Sequence, residues 1–233
     1  MPNSSYLCTA DRETLYPSTA EGFAAATDVV AYDVRCVPLL WLALFRPADL
    51  RTQTIVIEAD PDAVYAEFDE ATGEFVEVED HEEEDEVVEA VAPLVAKDRA
   101  LAQLDAALPV LNRLFKPEGP LDDHAAMLRQ AVEAAPGRFI TIELDEIEGL
   151  WEEGTFQPAL RAALACFEGS SDAESERANL IEIAQLRADR PFPPARMLLA
   201  DHEPVDDDYW NLSRLFGASF SAPVPWEPGL ENR

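Results

Sequence analysis

Phe139-Ile140-Thr141-Ile142-Glu143-Leu144 is the clearest strand in this chain. Ile140, Ile142 and Leu144 alternate with Thr141 and Glu143, and a period of two belongs to a strand with unlike faces. Just before it, Asp122 to Ala135 carries Leu128, Ala131, Val132 and Ala135 at helical spacing, and Pro136-Gly137 closes that helix. A strand set among helical segments decides the class. The fold is α+β, or mixed α/β, with a small sheet of about three to five strands and a helix-rich second half.

Toward the N-terminus, Leu94, Leu101, Leu104, Leu108, Leu111 and Phe115 recur at sevens, threes and fours, so Val87 to Phe115 reads as one helical face. Pro93 opens this helix, and Pro109, lacking an amide donor, kinks or breaks it. Together with Asp122–Ala135 it makes a helical subdomain over 87–136. Val64 to Val78 alternates on either side of Ala71-Thr72-Gly73 and predicts a hairpin. Thr54-Ile55-Val56-Ile57 is β-branched and compact, hence a strand. Tyr32 to Phe45 reads as a helix starting near Pro38 and ended by Pro47; it is apolar almost all round, so both faces should be covered. Asp11 to Thr27 reads mostly as loop, and Ser5 to Thr9 as a short first strand.

Toward the C-terminus, Phe156 to Phe167 is a helix stopped by Gly169. Glu174 to Ala188 follows, with Ser171 and Glu174 at capping-box spacing. Three prolines between Asp189 and Pro194 mark a joint, and Met197-Leu198-Leu199 is a short strand or a helix start. Tyr209 to Phe216 is a short helix ending at Gly217. The tail 218–233 is extended, because Pro223, Pro225 and Pro228 exclude a helix. There is no internal repeat, and one globular domain over 1–233 is expected, long enough to bury a sizeable core.

Forty-seven acidic residues face seventeen basic ones, for a formal charge of -30. From Thr52 to Ala96 there are sixteen Asp and Glu and no Lys or Arg. The densest part is Glu82-Glu83-Glu84-Asp85-Glu86, and 80–86 reads as a solvated loop because adjacent like charges repel when packed. Such a surface disfavours nucleic acid, whose phosphates need Lys and Arg, and anionic lipid for the same reason. It attracts a basic protein, most strongly at low salt. Solubility or adaptation to a salty interior is the general alternative. The strongest apolar run, Val37 to Phe45, is nine residues and too short to cross a bilayer as a helix. Cys8, Cys36 and Cys166 are odd in number and far apart, so neither a redox pair nor a zinc knuckle is expected; Cys36 and Cys166 lie in apolar runs and read as core thiols, in a reduced cytoplasmic setting. The opening Met-Pro-Asn-Ser-Ser lacks the basic and apolar regions of a secretory signal.

Chemistry has few candidates. Glu143, Asp145 and Glu146 gather where the clearest strand ends, and oxygen ligands of this kind suit magnesium or calcium, with His202 a further ligand. Paired carboxylates also serve as acid and base. In a chain one-fifth Asp and Glu, a solvated edge with a helix cap is the plainer reading, and no cofactor is expected. His81, His124 and His202 lack the short-range partners of a zinc motif. No Gly-x-Ser-x-Gly and no glycine-rich anion loop occurs. Trp210, Phe220 and Trp226 form an aromatic, proline-rich end that either serves an interface or straps over its own core.

Asn3-Ser4-Ser5-Tyr6-Leu7-Cys8 resembles the opening of an uncharacterised family of bacterial cytosolic proteins whose chains begin Asn-x-Ser-Tyr-Leu-Tyr; here Cys8 replaces the usual aromatic. Asn211-Leu212-Ser213-Arg214-Leu215-Phe216-Gly217, Val224-Pro225-Trp226 and Ala107 to Phe115 are similar to that family too. The resemblance implies no activity, cofactor or catalytic residue. Asn112, Arg113, Asn211 and Arg214 stand beside apolar stripes and are either network or binding groups, or caps and bonds to loops.

The favoured function is a non-catalytic binding or neutralising protein for a basic protein partner, of the kind that inhibits a toxin by matching its basic cleft. Its contact surface would be Glu74, Glu77, Glu79, Glu82, Glu83, Glu84, Asp85 and Glu86. A divalent-metal-dependent hydrolase built on Glu143, Asp145 and Glu146 is one alternative, and a self-association or regulatory module built on Trp226 is the other.

Overall fold

The computed structural model describes residues 3–11, 13, 15, 29–57, 65–69, 74–78, 86–115, 120–169, 172–190, 192, 210–220 and 224–226, with only the backbone described for strand residues between 55 and 88. The first half runs β1 (Ser4–Ala10), β2 (Val29–Val34), α1 (Leu39–Leu42), β3 (Leu50–Ile57), β4 (Tyr65–Asp69), β5 (Glu74–Val78) and β6 (Glu86–Ala96). The second half runs α2 (Lys97–Phe115), α3 (Asp122–Ala134), β7 (Phe139–Glu143), α4 (Asp145–Glu148), α5 (Phe156–Ala165), α6 (Ala173–Ala184), α7 (Trp210–Phe216) and β8 (Ala218–Ser219). The class is α+β.

Among the described residues the main sheet has six strands, in the order β3-β6-β7-β1-β2-β8, so the expectation of three to five is too low. Every neighbouring pair is antiparallel. β4 and β5 form a separate antiparallel hairpin, as the alternation around Gly73 predicts.

The largest correction lies at 87–96. This stretch is not the start of a helix but most of an eleven-residue strand, and the helical subdomain over 87–136 is therefore not one unit. β6 pairs with β3 from Glu86 to Pro93 and with β7 from Leu94 to Ala96. Pro93, with no amide hydrogen to donate, sits where the strand passes from one partner to the other. Helix α2 then runs through Pro109 to Phe115 without a break. Tyr32, read as helical, lies in β2, and the helix that follows is only Leu39–Leu42, entered from Pro38. Every residue from Val37 to Phe45 except Pro38 is a buried member of the core, as the all-round apolar run requires.

Smaller differences follow the same logic. Helix α6 stops at Ala184, where Gln185 turns left-handed with φ 50°, and its cap is Asp172, which accepts from the Glu174 amide at 3.1 Å. The tail begins as a strand, since β8 pairs with β2. Helices α3, α5 and α7 and strands β1 and β7 stand within a few residues of their expected bounds.

Register assigns the two sheet faces. Leu7 lies opposite Ile142 and Ala31, and all three are fully buried in the core shared with Leu104, Leu128 and Phe156. The other face carries Tyr6 opposite Glu143, Cys8 opposite Thr141, and Thr141 opposite Leu94. Thr141 and Glu143 look like a solvent face in the sequence, yet both are buried. Leu15 lies over this side, its amide bonded to Gln53 Oε1 at 2.9 Å. Gly137 lets the chain cross tightly before β7, since a Cβ there would meet the Ala10 backbone nitrogen at 2.5 Å.

Candidate functional site

The carboxylates at the end of β7 do three different things. Glu143 turns inward and is 5% exposed. Its Oε1 accepts the Asp145 amide at 2.8 Å, a side-chain bond to the first residue of α4. Its Oε2 is buried with no hydrogen-bond partner among the described residues. Burial pushes the carboxyl up to about 8; repulsion from Asp145 and Glu146 acts in the same direction, against the Asp145 amide. Asp145 is exposed. Glu146 faces β1 instead, its Oε2 accepting the Ser4 amide at 2.7 Å and its carbonyl the Asn3 side-chain amide at 3.1 Å. The three carboxylates do not share one point, and among the described residues no three His, Cys, Asp or Glu side chains are placed to hold a metal ion. His202 lies outside the described residues.

Glu143 lines a small pocket with Leu15, Ala90, Ala92, Thr141, Leu144 and others. Its enclosed part has room for about one water molecule. The wall on the β6 side is small and apolar because β6 carries Ala90 and Ala92 at alternate positions, and alternate residues share a face.

The residues of the candidate acidic surface fall on other elements. Glu74 and Glu77 lie on β5, and Glu86 opens β6 rather than closing a loop. Glu79, Glu82, Glu83, Glu84 and Asp85, and with them most of the loop expected at 80–86, lie outside the described residues. The ladder around them is informative. Ile57, the last residue of β3, pairs with Glu86, the first of β6. Antiparallel partners have Cα atoms about 4.5–5.5 Å apart, so residues 58–85 leave the sheet and return to it at one place. Those twenty-eight residues hold fourteen Asp and Glu and no Lys or Arg. The other 205 hold thirty-three acids together with all seventeen cations.

The aromatic end is mostly turned inward. Trp226 is 3% exposed, its ring stacks on Phe216 at 4.9 Å, and its Nε1 donates to the Gly217 carbonyl at 2.9 Å. Trp41 Nε1 donates to the neighbouring Phe216 carbonyl at 2.8 Å. The tail therefore straps over its own core at Val224 and Trp226. Phe220, 41% exposed, packs edge-on to Tyr6 and Tyr32. Trp210 is the first residue of α7.

The four unusual polar residues all serve the fold. Asn112 Oδ1 accepts the Leu121 amide, and Arg113 pairs with buried Glu176 at 3.0 Å. Asn211 brackets Arg187, accepting its amide and donating to its carbonyl and that of Arg190. Arg214 reaches Asp33 Oδ1 at 2.5 Å, the Val34 carbonyl at 2.7 Å and Cys36 Sγ at 3.2 Å. Burial raises Asp33 to about 6 despite this guanidinium. Cys36 is raised far more, by burial first, and is an inert core thiol. Asp33 carries no local sign of this partnership, since its partner lies 181 positions away.

Comparison with protein-family models, curated proteins and solved structures returns no match. The comparisons assign no role to these residues.

Proposed function

We propose that this chain is a non-catalytic binding protein that takes a basic protein partner through the acidic segment between Ile57 and Glu86, in the manner of an immunity protein. The pairing of Ile57 with Glu86 supports the reading, because it gathers fourteen formal negative charges on one excursion of the chain. Charge concentrated this way steers a cationic surface toward one place and lifts the association rate from about 10⁵–10⁶ toward 10⁸ M⁻¹s⁻¹ at low salt. The same charge scattered over the molecule would aid solubility but not orientation. The chemistry that would recognise the partner is a cluster of Arg and Lys, as lines a cleft that binds phosphate.

The test neutralises Glu74, Glu77, Glu79, Glu82, Glu83, Glu84, Asp85 and Glu86 as Gln or Asn. Wild type and variant are used as baits in the same lysate, and captured proteins are identified by mass spectrometry. A basic protein held by the wild type and not by the variant, with an association rate that falls steeply as salt rises, supports the reading. Equal capture by both baits overturns it.

A further inference from the structure

β3 stands at one end of the six-stranded sheet, paired with β6 on its inner side, and among the described residues no strand pairs with its outer side. Residues along an antiparallel strand turn their N–H and C=O groups to one side and the other in alternation. Three observations agree on the phase. The Leu50 amide is bonded to the Pro47 carbonyl instead of to β6. Pro93, opposite Leu50, has no amide to give. The Val91 carbonyl, opposite Thr52, accepts Gln157 Nε2 at 3.1 Å. Val91 and Pro93 are therefore turned away from β3, and Leu50, Thr52 and Thr54 present their main-chain groups outward. Thr52 and Thr54 are exposed. We infer that this edge takes an added strand, an extended Lys- or Arg-bearing segment of the basic partner, hydrogen-bonded to Thr52 and Thr54. The inference rests on the proposed basic partner and says how that partner is held.

An open edge is a template for another strand, and proteins blunt their edges with lysine, proline, bulges or very short strands. The opposite edge of this sheet follows that rule, since β8 has only two residues. β3 does not. Its eight residues stay in continuous register with β6, and Thr52 to Ile57 contain neither a charge nor a proline. Charge selects the occupant. Ile57 ends the strand where the fourteen acids of 58–85 leave the sheet, and exposed Glu89 lies opposite Thr54 on the same face. Arg51, the one cation in β3, is turned back to the Ala48 carbonyl at 2.8 Å. A second copy would bring its own charge of -30 against this field, whereas a basic strand is attracted by it. In strand addition the main-chain bonds supply affinity and alternate side chains supply specificity. The matching segment thus sets β-branched residues beside Thr52 and Thr54 and its Lys or Arg toward Ile57.

The test titrates the full-length protein with the blocked peptide Lys-Val-Lys-Thr-Val-Thr and reads amide exchange with solvent by NMR. Exchange at Thr52 and Thr54 should slow about tenfold at saturation, as a new hydrogen bond requires, while Gln53, whose amide already faces β6, should change little. The fully N-methylated peptide has the same charge and no main-chain donors, and should slow neither. Thr54→Pro removes one outward amide without touching the ladder to β6, a position an edge strand tolerates, and should weaken binding of the plain peptide. Unchanged exchange at Thr52 and Thr54, or equal binding of the two peptides by wild type, overturns the inference whatever the variant does to the fold. Slowing of the same amides by rising protein concentration alone also overturns it, because a second copy would then hold the edge. The two readings fail separately. Capture of a basic protein that survives Thr54→Pro but is lost on neutralising the acidic segment overturns the added strand and leaves the proposed function. Capture unchanged by that neutralisation, with Thr52 and Thr54 still slowed by the peptide, overturns the proposed function and supports the strand.

Discussion

Glu143→Gln should remove the pH dependence that one buried carboxyl imposes on stability. Burial raises the folded value to about 8, against an ordinary 4.5 in the unfolded chain. Between these values the unfolded chain releases a proton that the folded chain keeps, so stability falls as pH rises through the window. The penalty is absent below about 4.5 and complete above about 8. At 1.36 kcal/mol per pH unit it amounts to about 4–5 kcal/mol in full, with about 3 kcal/mol present at pH 7. Glutamine keeps the shape and an acceptor for the Asp145 amide but cannot ionise. Urea unfolding of both proteins near pH 5, 7 and 8.5 measures the difference, in which the titration of the other forty-six acids largely cancels. The two should agree within about 1 kcal/mol near pH 5, and the variant should be the more stable by several kcal/mol near pH 8.5. Parallel pH profiles would refute the reasoning, because they would mean that Glu143 ionises in the folded chain as readily as in water.

Substitutions at three further sites probe the core. Arg214→Met strands Asp33, whose side chain is 11% exposed, and should cost about 3–5 kcal/mol at neutral pH; the loss should shrink as pH falls below about 6, where Asp33 is protonated in the folded chain, and adding Asp33→Asn should recover part of it in denaturant titrations. Trp226→Ala opens a cavity over Phe216 and should cost about 3–5 kcal/mol, whereas Trp226→Phe loses mainly the bond to the Gly217 carbonyl and should cost about 1 kcal/mol, both read by thermal unfolding. Gly217→Ala adds a Cβ that would meet the Tyr32 carbonyl oxygen at 2.5 Å from a backbone at φ 71°; the left-handed conformation alone costs about 1–3 kcal/mol, so a variant as stable as wild type would contradict the close approach of α7 to β2.

The elements legible in the sequence are those whose two faces differ. β7 and α3 each show one apolar face and one mixed face, and their periods survive inspection. β6 has no such contrast. Val87, Val88, Ala90, Val91, Ala92, Leu94 and Val95 form a nearly continuous apolar run, as a strand covered on both sides does, and a run of that kind has no period to separate it from a helix. Leu94 and Leu101 then fall seven apart by coincidence, one on a strand and the other on a helix. β2 is lost for a similar reason, since Val30 and Tyr32 are apolar on the less buried side. At the candidate site, the identity of Glu143 was legible but its inward direction was not. A glutamate on a strand looks solvated unless the segment covering it is known, and that cover includes Leu15, far away in the chain. The partnership of Arg214 with Asp33 is likewise a product of tertiary packing.

The charge reading depends on topology more than on local conformation. A long acidic stretch laid along a sheet would spread its field across the molecule. Here β3 and β6 are paired to their ends, so whatever shape 58–85 adopts, both of its roots lie at one point of the sheet. Its charge density, one acid per two residues with no cation, is about six times the net value for the remainder of the chain. Salt screens such charge beyond about 8–10 Å, which makes ionic strength the discriminating variable. Steering by that charge fades over a modest rise in salt, while a core held by burial keeps its stability. Partner capture that survived high salt unchanged would have to come from apolar contact, and Phe220 with Tyr6 and Tyr32, rather than the acidic segment, would then be the surface to mutate.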